Sequence, residues 1–438
     1  MTNYDPEGDR PIDYASAAAI VVASMIGTGV FTTLGLQAQE VHTGFALLWL
    51  WGAGGLIAMA GALSYGELAA ALPRSGGEYH YLGRIYHPVL GVVAGWISVT
   101  VGFAAPSALA AMALGEYAAT FTSLSPLPVA VVTIVVIAVF HGISVRLGKH
   151  FHLVTTALKL ALILMFCSAG LLVPPAGGTA FAPSLAGWQE VFSPAFAFSL
   201  IYVSYAYSGW NAATYMASEV RRPQQVLPRA LLHGTLLVTV LYLLLNFVFL
   251  RTVPVAELAG RLEVGALSAE VIFGPSGGLL ASIMICILLV STISAMVMAG
   301  PRVLQVVGED LPGLRALAVR TAGGAPLRAI VLQQVLAIGF VVTDSFEGVL
   351  SYAGFTLNLI ALLTVAGVFV LRFTEPGLPR PFRVPGYPLV PAAFVLVNAV
   401  ILVFVLQSRP LAAGAGLLTI LAGAALVLLQ KYRHGEPG

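Results

Sequence analysis

The 438-residue chain is 58% hydrophobic and only 9% charged, where a soluble domain carries about 25% charged residues, so a soluble enzyme or binding module is excluded. Its net charge of +2 is scattered over many loops instead of one face, which excludes a nucleic-acid surface. Twelve apolar runs, each near the roughly 20 residues that cross the hydrocarbon, predict an all-α integral membrane protein with no soluble domain left over.

Ahead of the first run, Met1 to Asp9 is polar and acidic and lacks a basic leader, so no cleavable signal peptide is expected. Span 1 starts near Ile12 and holds the string Ser24-Met25-Ile26-Gly27-Thr28-Gly29-Val30-Phe31. Its two glycines remove the bulk that keeps a helix closed, which predicts unwound backbone at mid-membrane depth. Such backbone survives only inside protein or beside a watery cavity. Small residues in membrane helices also mark close packing, and that reading stays open for this string taken alone. Read as a break, it directs the N–H groups of Thr28, Gly29 and Val30, at the start of an outer half-helix, toward a carboxylate. The inner half-helix, ending near Met25 and Ile26, offers carbonyls to a cation. Together the two ends suit a zwitterion.

Span 2, about Leu47 to Leu72, ends in the string GALSYGELAAALPRSGGEYHYL. Glu67, near its inner end, is expected to be structural, capped by nearby backbone or by Arg74. Pro73, Gly76 and Gly77 then break the chain into an amphipathic inner segment with Tyr79, Tyr81 and Tyr86 as interfacial anchors. Span 3, about Leu90 to Thr120, has Pro106 and a small-residue face for packing. Span 4, roughly Leu127 to Gly142, reads as a plain aliphatic helix with no chemistry in it. Span 5 enters near Phe151, which puts Lys159 about 12 to 15 Å along the helix, close to the middle of a core about 30 Å thick. A lysine stem can snorkel to the surface, but an ionisable group at that depth usually faces a cavity and has work there.

Span 6 carries Tyr202-Val203-Ser204-Tyr205-Ala206-Tyr207-Ser208-Gly209-Trp210-Asn211, a second run weakened at mid-span. It opens the second set of five spans as span 1 opens the first. A pair of interrupted segments in matching positions is the best sequence pointer to a transporter site built from inverted repeats. Glu219, Arg221, Arg222 and Pro223 follow along the inner face. Residues 251–267 are expected to form an outer loop ahead of span 8, where Ser291, Thr292 and Ser294 are hydroxyls of a kind that usually bond their own helix. Asp344 and Glu347 mark the outer end of spans 9 and 10, and Asn358 lies in span 10. The last two spans fall outside the repeat, as scaffold or dimer surface.

Seventeen of the 21 Lys and Arg fall on the loops and tails of one side; Arg251, Arg261 and Arg409 fall on the other. The positive-inside rule makes the first side cytoplasmic, with both termini on it; it is called inner below. Cys167 and Cys286 lie within apolar runs, so no disulfide-linked partner subunit is expected. The histidines show no metal-ligand spacing, so no metal or cofactor is expected. No acid, base and nucleophile constellation sits in the spans, which argues against an enzyme.

The strings SMIGTGVF, GALSYGELAAALPRSGGEYHYL, YSGWNAATYMASEVRRPQQVLPRAL and RFTEPGLPRPFRVPGYPLVP occur in that order. They resemble the signatures of the amino acid/polyamine/organocation (APC) superfamily, and within it the L-type amino acid transporter branch, over essentially the whole chain. The resemblance implies one transporter domain of twelve transmembrane helices in a LeuT-like 5+5 inverted repeat. Its halves would be 12–174 and 190–372, with helices 1 and 6 broken, and 386–432 would hold spans 11 and 12. Met25, Ile26, Gly27, Thr28, Gly29, Val30, Tyr205 and Ser208 would bind substrate, with Tyr205 as the aromatic gate on the outer side. Lys159 resembles the lysine that several members place where sodium-coupled relatives hold a cation, with Thr292, and Ser291 beside it, as hydroxyls pointed at it. The function so implied is sodium-independent exchange of small or medium neutral L-amino acids across the plasma membrane. Proton-coupled symport and transport of cationic amino acids or polyamines stay open, with a channel as the remote alternative. Spans 1, 3, 6, 8 and 10 lack a carboxylate at mid-depth, which weighs against a dibasic substrate.

Overall fold

The computed structural model describes residues 10, 12–143, 148–310, 315–321, 326–343 and 345–434; the expectations placed on Met1 to Asp9 and on Asp344 lie outside them. Among the described residues the chain is helical, with no strand ladder and one isolated parallel β-bridge between Ile12 and Val220.

Span 1 is two helices, α1 (Tyr14–Met25) and α2 (Gly29–Gln37). Asp13 caps α1 by accepting from the N–H of Ser16 at 2.9 Å, and that bond holds its carboxyl below the usual carboxylate range. Thr43 caps α3 (Gly44–Ala71) in the same way, through Ala46. After Pro73 comes α4 (Glu78–Ile85) on the inner side, then α5 (Pro88–Ile97), with Pro88 in its first turn where the missing N–H costs nothing. A π-helical stretch, Ser98–Phe103, joins α5 to α6 (Ala104–Ala119). Pro106, in the first turn of α6, has no N–H for the carbonyl four residues back, so the turn preceding it widens.

Spans 4 and 5 are α7 (Pro126–Ile143) and α8 (Gly148–Leu172), followed by a short outer helix, α9 (Leu185–Val191). Span 6 is α10 (Pro194–Ala206), a turn at 207–211 and a 3-10 helix over Ala212–Glu219. The long α11 (Pro223–Thr252) is span 7. The segment expected as an outer loop instead holds α12 (Val255–Leu258) and α13 (Val264–Phe273), so Leu267 belongs to α13 and not to span 8. Span 8, α14 (Pro275–Asp310), begins later because Gly274 turns back with φ 78° and the proline after it ends the run before. The rest is α15 (Arg315–Ala318), α16 (Leu327–Thr343), α17 (Phe346–Thr374), α18 (Leu389–Ser408) and α19 (Pro410–His434).

Among the described residues seven runs, those of spans 1, 2, 3, 7, 8, 10 and 11, are long and apolar enough to cross a membrane; apolar stretches of 10–17 residues stand at the places of spans 4, 5, 6, 9 and 12. A main apolar core threads the bundle, beside a small second cluster of Val99, Leu304 and Ala329. α11 lies along α3 and α1, α6 packs on α14, α7 and α16, and α17 packs on α18 and α19. Large apolar side chains such as Leu172, Phe192 and Leu411 stay exposed on the outside, as a chain solvated by lipid allows. Tyr81 is not an interfacial anchor: it is fully buried, with its ring edge-on to Tyr65 at 5.9 Å.

Candidate functional site

The two breaks lie against each other. A Cβ on Gly29 would stand 2.5 Å from the Cα of Ala206 at the end of α10, and a Cβ on Gly209 would stand 2.7 Å from the carbonyl oxygen of Ser24 in α1. Each break thus supplies a glycine where the other passes. Gly209 also sits at φ 98°, a conformation that side chains resist.

Thr28 and Gly29 begin α2; the N–H of Phe31 already bonds the Thr28 carbonyl at 3.1 Å, and the N–H groups ahead of it have no carbonyl one turn back inside the helix. These donors stand opposite the carbonyl end of α1, whose last N–H bond runs from Ile26 to Val22 at 3.0 Å. Beyond it Ile26 leaves helical geometry with ψ 86°. Met25, Thr28 and Val30 are buried, and Gly27 and Ser208 are half-buried. Three carbonyls at the breaks, among them the two expected to face an amine, carry partners already. Met25 accepts from the Tyr242 hydroxyl at 2.6 Å, Ile26 from Lys159, and Tyr205 from the N–H of Ser208 at 2.9 Å. Each carbonyl oxygen keeps a second lone pair.

Tyr242 is a site residue that the sequence reading missed. Its hydroxyl also reaches the carbonyl of Ala206 at 3.2 Å, so one side chain of α11 ties the inner half of span 1 to the outer half of span 6. Trp51 of α3 packs edge-on to it at 5.5 Å, accepts from Tyr207 through its own carbonyl at 3.1 Å, and donates to Gln37 at 2.8 Å. The signal was a lone phenol in the aliphatic run of span 7, since a buried Tyr hydroxyl needs a partner.

Lys159 is buried, and its ammonium donates to the carbonyl of Ile26 at 3.2 Å and to the hydroxyl of Thr292 at 3.1 Å. Thr292 donates its own hydroxyl to the carbonyl of Leu288 at 3.1 Å. Spans 1, 5 and 8 therefore meet at one nitrogen. Ser291 is buried beside Thr292 and is not among the ammonium's partners. Among the described residues no carboxylate pairs with Lys159. Tyr205 lies in the last turn of α10, buried, and the chain unwinds two residues later, at Tyr207, not at Tyr205 itself.

Two other expectations change. Span 4 is not free of polar chemistry, because His141 in the last turn of α7 hydrogen-bonds Ser294 of α14 at 2.7 Å. Glu67 is structural, but its partner is not Arg74. Arg372 at the inner end of α17 grips both its oxygens at 2.8 and 2.6 Å, and the N–H of Val384 adds a third bond at 2.7 Å. A planar guanidinium matches a carboxylate in this way.

Residues 12–426 match the amino acid permease family. The b(0,+)-type amino acid transporter 1 of Mus musculus is 26% identical over 412 residues, which cover 92% of this chain and 83% of that protein. The large neutral amino acids transporter small subunit 2 of Homo sapiens is 28% identical over 442 residues, covering 98% of this chain and 82% of that protein.

Proposed function

The chain belongs to the amino acid permease family, and on that footing we propose that it exchanges small or medium neutral L-amino acids across the plasma membrane without sodium. Its termini are cytoplasmic, and residues 12–174 and 190–372 act as the two inverted repeats around the site. The observation that carries this reading is the pairing of the two breaks. Unpartnered N–H groups at the start of α2 face the carbonyl ends of α1 and α10, which suits the two α-groups of an amino acid. Lys159 holds the carbonyl of Ile26 and the hydroxyl of Thr292, so a fixed ammonium supplies the link that a cation would otherwise make. Relatives named for amino acid transport support the substrate class.

Proton symport is the second reading. What favours it is that, among the described residues, the partners of the Lys159 ammonium are neutral, which leaves it able to give up its proton during a cycle.

The test of the site is competition in proteoliposomes. Free neutral amino acids are expected to displace a labelled one, while their methyl esters and decarboxylated analogues are not. Equal displacement by either analogue would overturn the zwitterion site.

A further inference from the structure

Below the breaks, a polar seam separates the inner half of span 6 from the segment that leads into α4. Three pairs face each other along it. Ser75 and Ser218 exchange bonds, each N–H to the other's hydroxyl, at 3.1 and 2.9 Å. Gly77 passes so near Tyr215 that a Cβ would lie 2.7 Å from its ring. Glu78 accepts from the side-chain amide of Asn211, just ahead of the 3-10 helix, and from the hydroxyl of Tyr65 in α3 at 2.8 Å.

Glu78 is only 4% exposed, and among the described residues no Lys or Arg pairs with it. The Asn211 and Tyr65 donors meet at Oε1 and the Tyr215 hydroxyl also lies against the carboxylate, while Oε2 makes no hydrogen bond. The second buried inner carboxylate, Glu67, contrasts with it: both its oxygens are filled by a guanidinium and a backbone N–H, so it is a fixed clamp.

Resting on the transport reading above, we propose that Glu78 is the positioning residue that closes the inner side of the path, by holding Asn211 and with it the inner half of span 6. Hydrogen bonds to an ionised carboxylate are roughly twice as strong as neutral ones, which favours closure. Oε2, which no protein donor satisfies, opposes it, since a buried acceptor without a hydrogen bond is costly. The two effects act in opposite directions, as an alternating gate requires. The inner half of span 1 travels with span 6. Ile12 donates to Glu219 at 3.1 Å and accepts from the N–H of Arg221 at 2.8 Å, so release of Asn211 frees both.

The test is a cysteine reporter, Ala212→Cys, in a chain whose Cys167 and Cys286 are replaced by alanine, labelled with a membrane-impermeant maleimide in inside-out and right-side-out vesicles. Glu78→Ala and Asn211→Ala are each expected to raise labelling from the inner side several-fold and leave outer-side labelling equal or lower. The double variant should label no faster than either single one. Glu78→Gln, which keeps the shape and loses the charge, should fall between wild type and Glu78→Ala, and carries the test if the alanine variant fails to fold. Unchanged inner labelling, a rise from both sides, or additive effects in the double variant would overturn the proposal. Labelling does not depend on turnover, so a chain that moves no amino acid would sink the transport reading and leave this result readable.

Discussion

At Gly29 the energetic question is space, because the nearest obstacle to a side chain is the Cα of Ala206, 2.5 Å from where a Cβ would stand. Gly29→Ala is expected to push the two breaks apart, lose substrate binding and lower stability by roughly 1 to 3 kcal/mol through overpacking. Ala206→Gly in the same chain should recover part of the loss, since the Ala206 Cβ is a second obstacle at 2.7 Å. Thermal unfolding with and without substrate checks both; a stable Gly29→Ala protein with normal binding would contradict this packing. Tyr242→Phe strips one hydroxyl from two carbonyls, and about 1 to 3 kcal/mol of stability should go with it. Apparent affinity should fall with it because the breaks lose their tie, and an unchanged melting temperature and affinity would refute that role. The contrast between these residues shows what a sequence discloses. A pair of glycines and a lysine at mid-depth break the expected composition of a span, so they stand out on their own. Tyr242 and the partners of Glu67 do not, because their meaning lies in residues far along the chain: Arg372 is 305 positions from Glu67.

Among the elements, span 1 and span 6 are coupled twice, by Tyr242 between the breaks and by the Ile12 bridge to Val220 at the inner end. If the inner halves move as one piece, a short cross-link between Ile12→Cys and Val220→Cys should leave exchange working. A cross-link between Ser75→Cys and Ser218→Cys, across the seam, should stop it while binding from the outer side persists. Arrest by the first cross-link would show that the inner halves part from each other. Caps and prolines set the helix starts at Thr43, Pro88 and Pro223, whereas hydropathy alone places the starts of spans 2 and 3 at Leu47 and Leu90, a little too late. The start of span 8 was not legible, since α13 is as apolar as the helix after it and only the Gly274-Pro275 turn separates them. The π-helical stretch in span 3 was likewise hidden, because Pro106 announces a disturbance and not its shape.

For the whole molecule, hydropathy and the charge asymmetry of the loops carry the membrane class, and the two interrupted spans in matching places carry the idea of a transporter. What composition leaves open is the energy source, since a lysine held by neutral oxygens serves either as a strut or as a proton carrier. The most direct measurement is uptake of labelled neutral amino acids into proteoliposomes, with and without internal amino acid, with sodium present or absent, and under an imposed pH gradient. The account predicts uptake that needs internal amino acid and ignores both sodium and the gradient, and that Lys159→Ala impairs. Concentrative uptake into empty vesicles driven by the pH gradient alone, and abolished by Lys159→Ala, would contradict it.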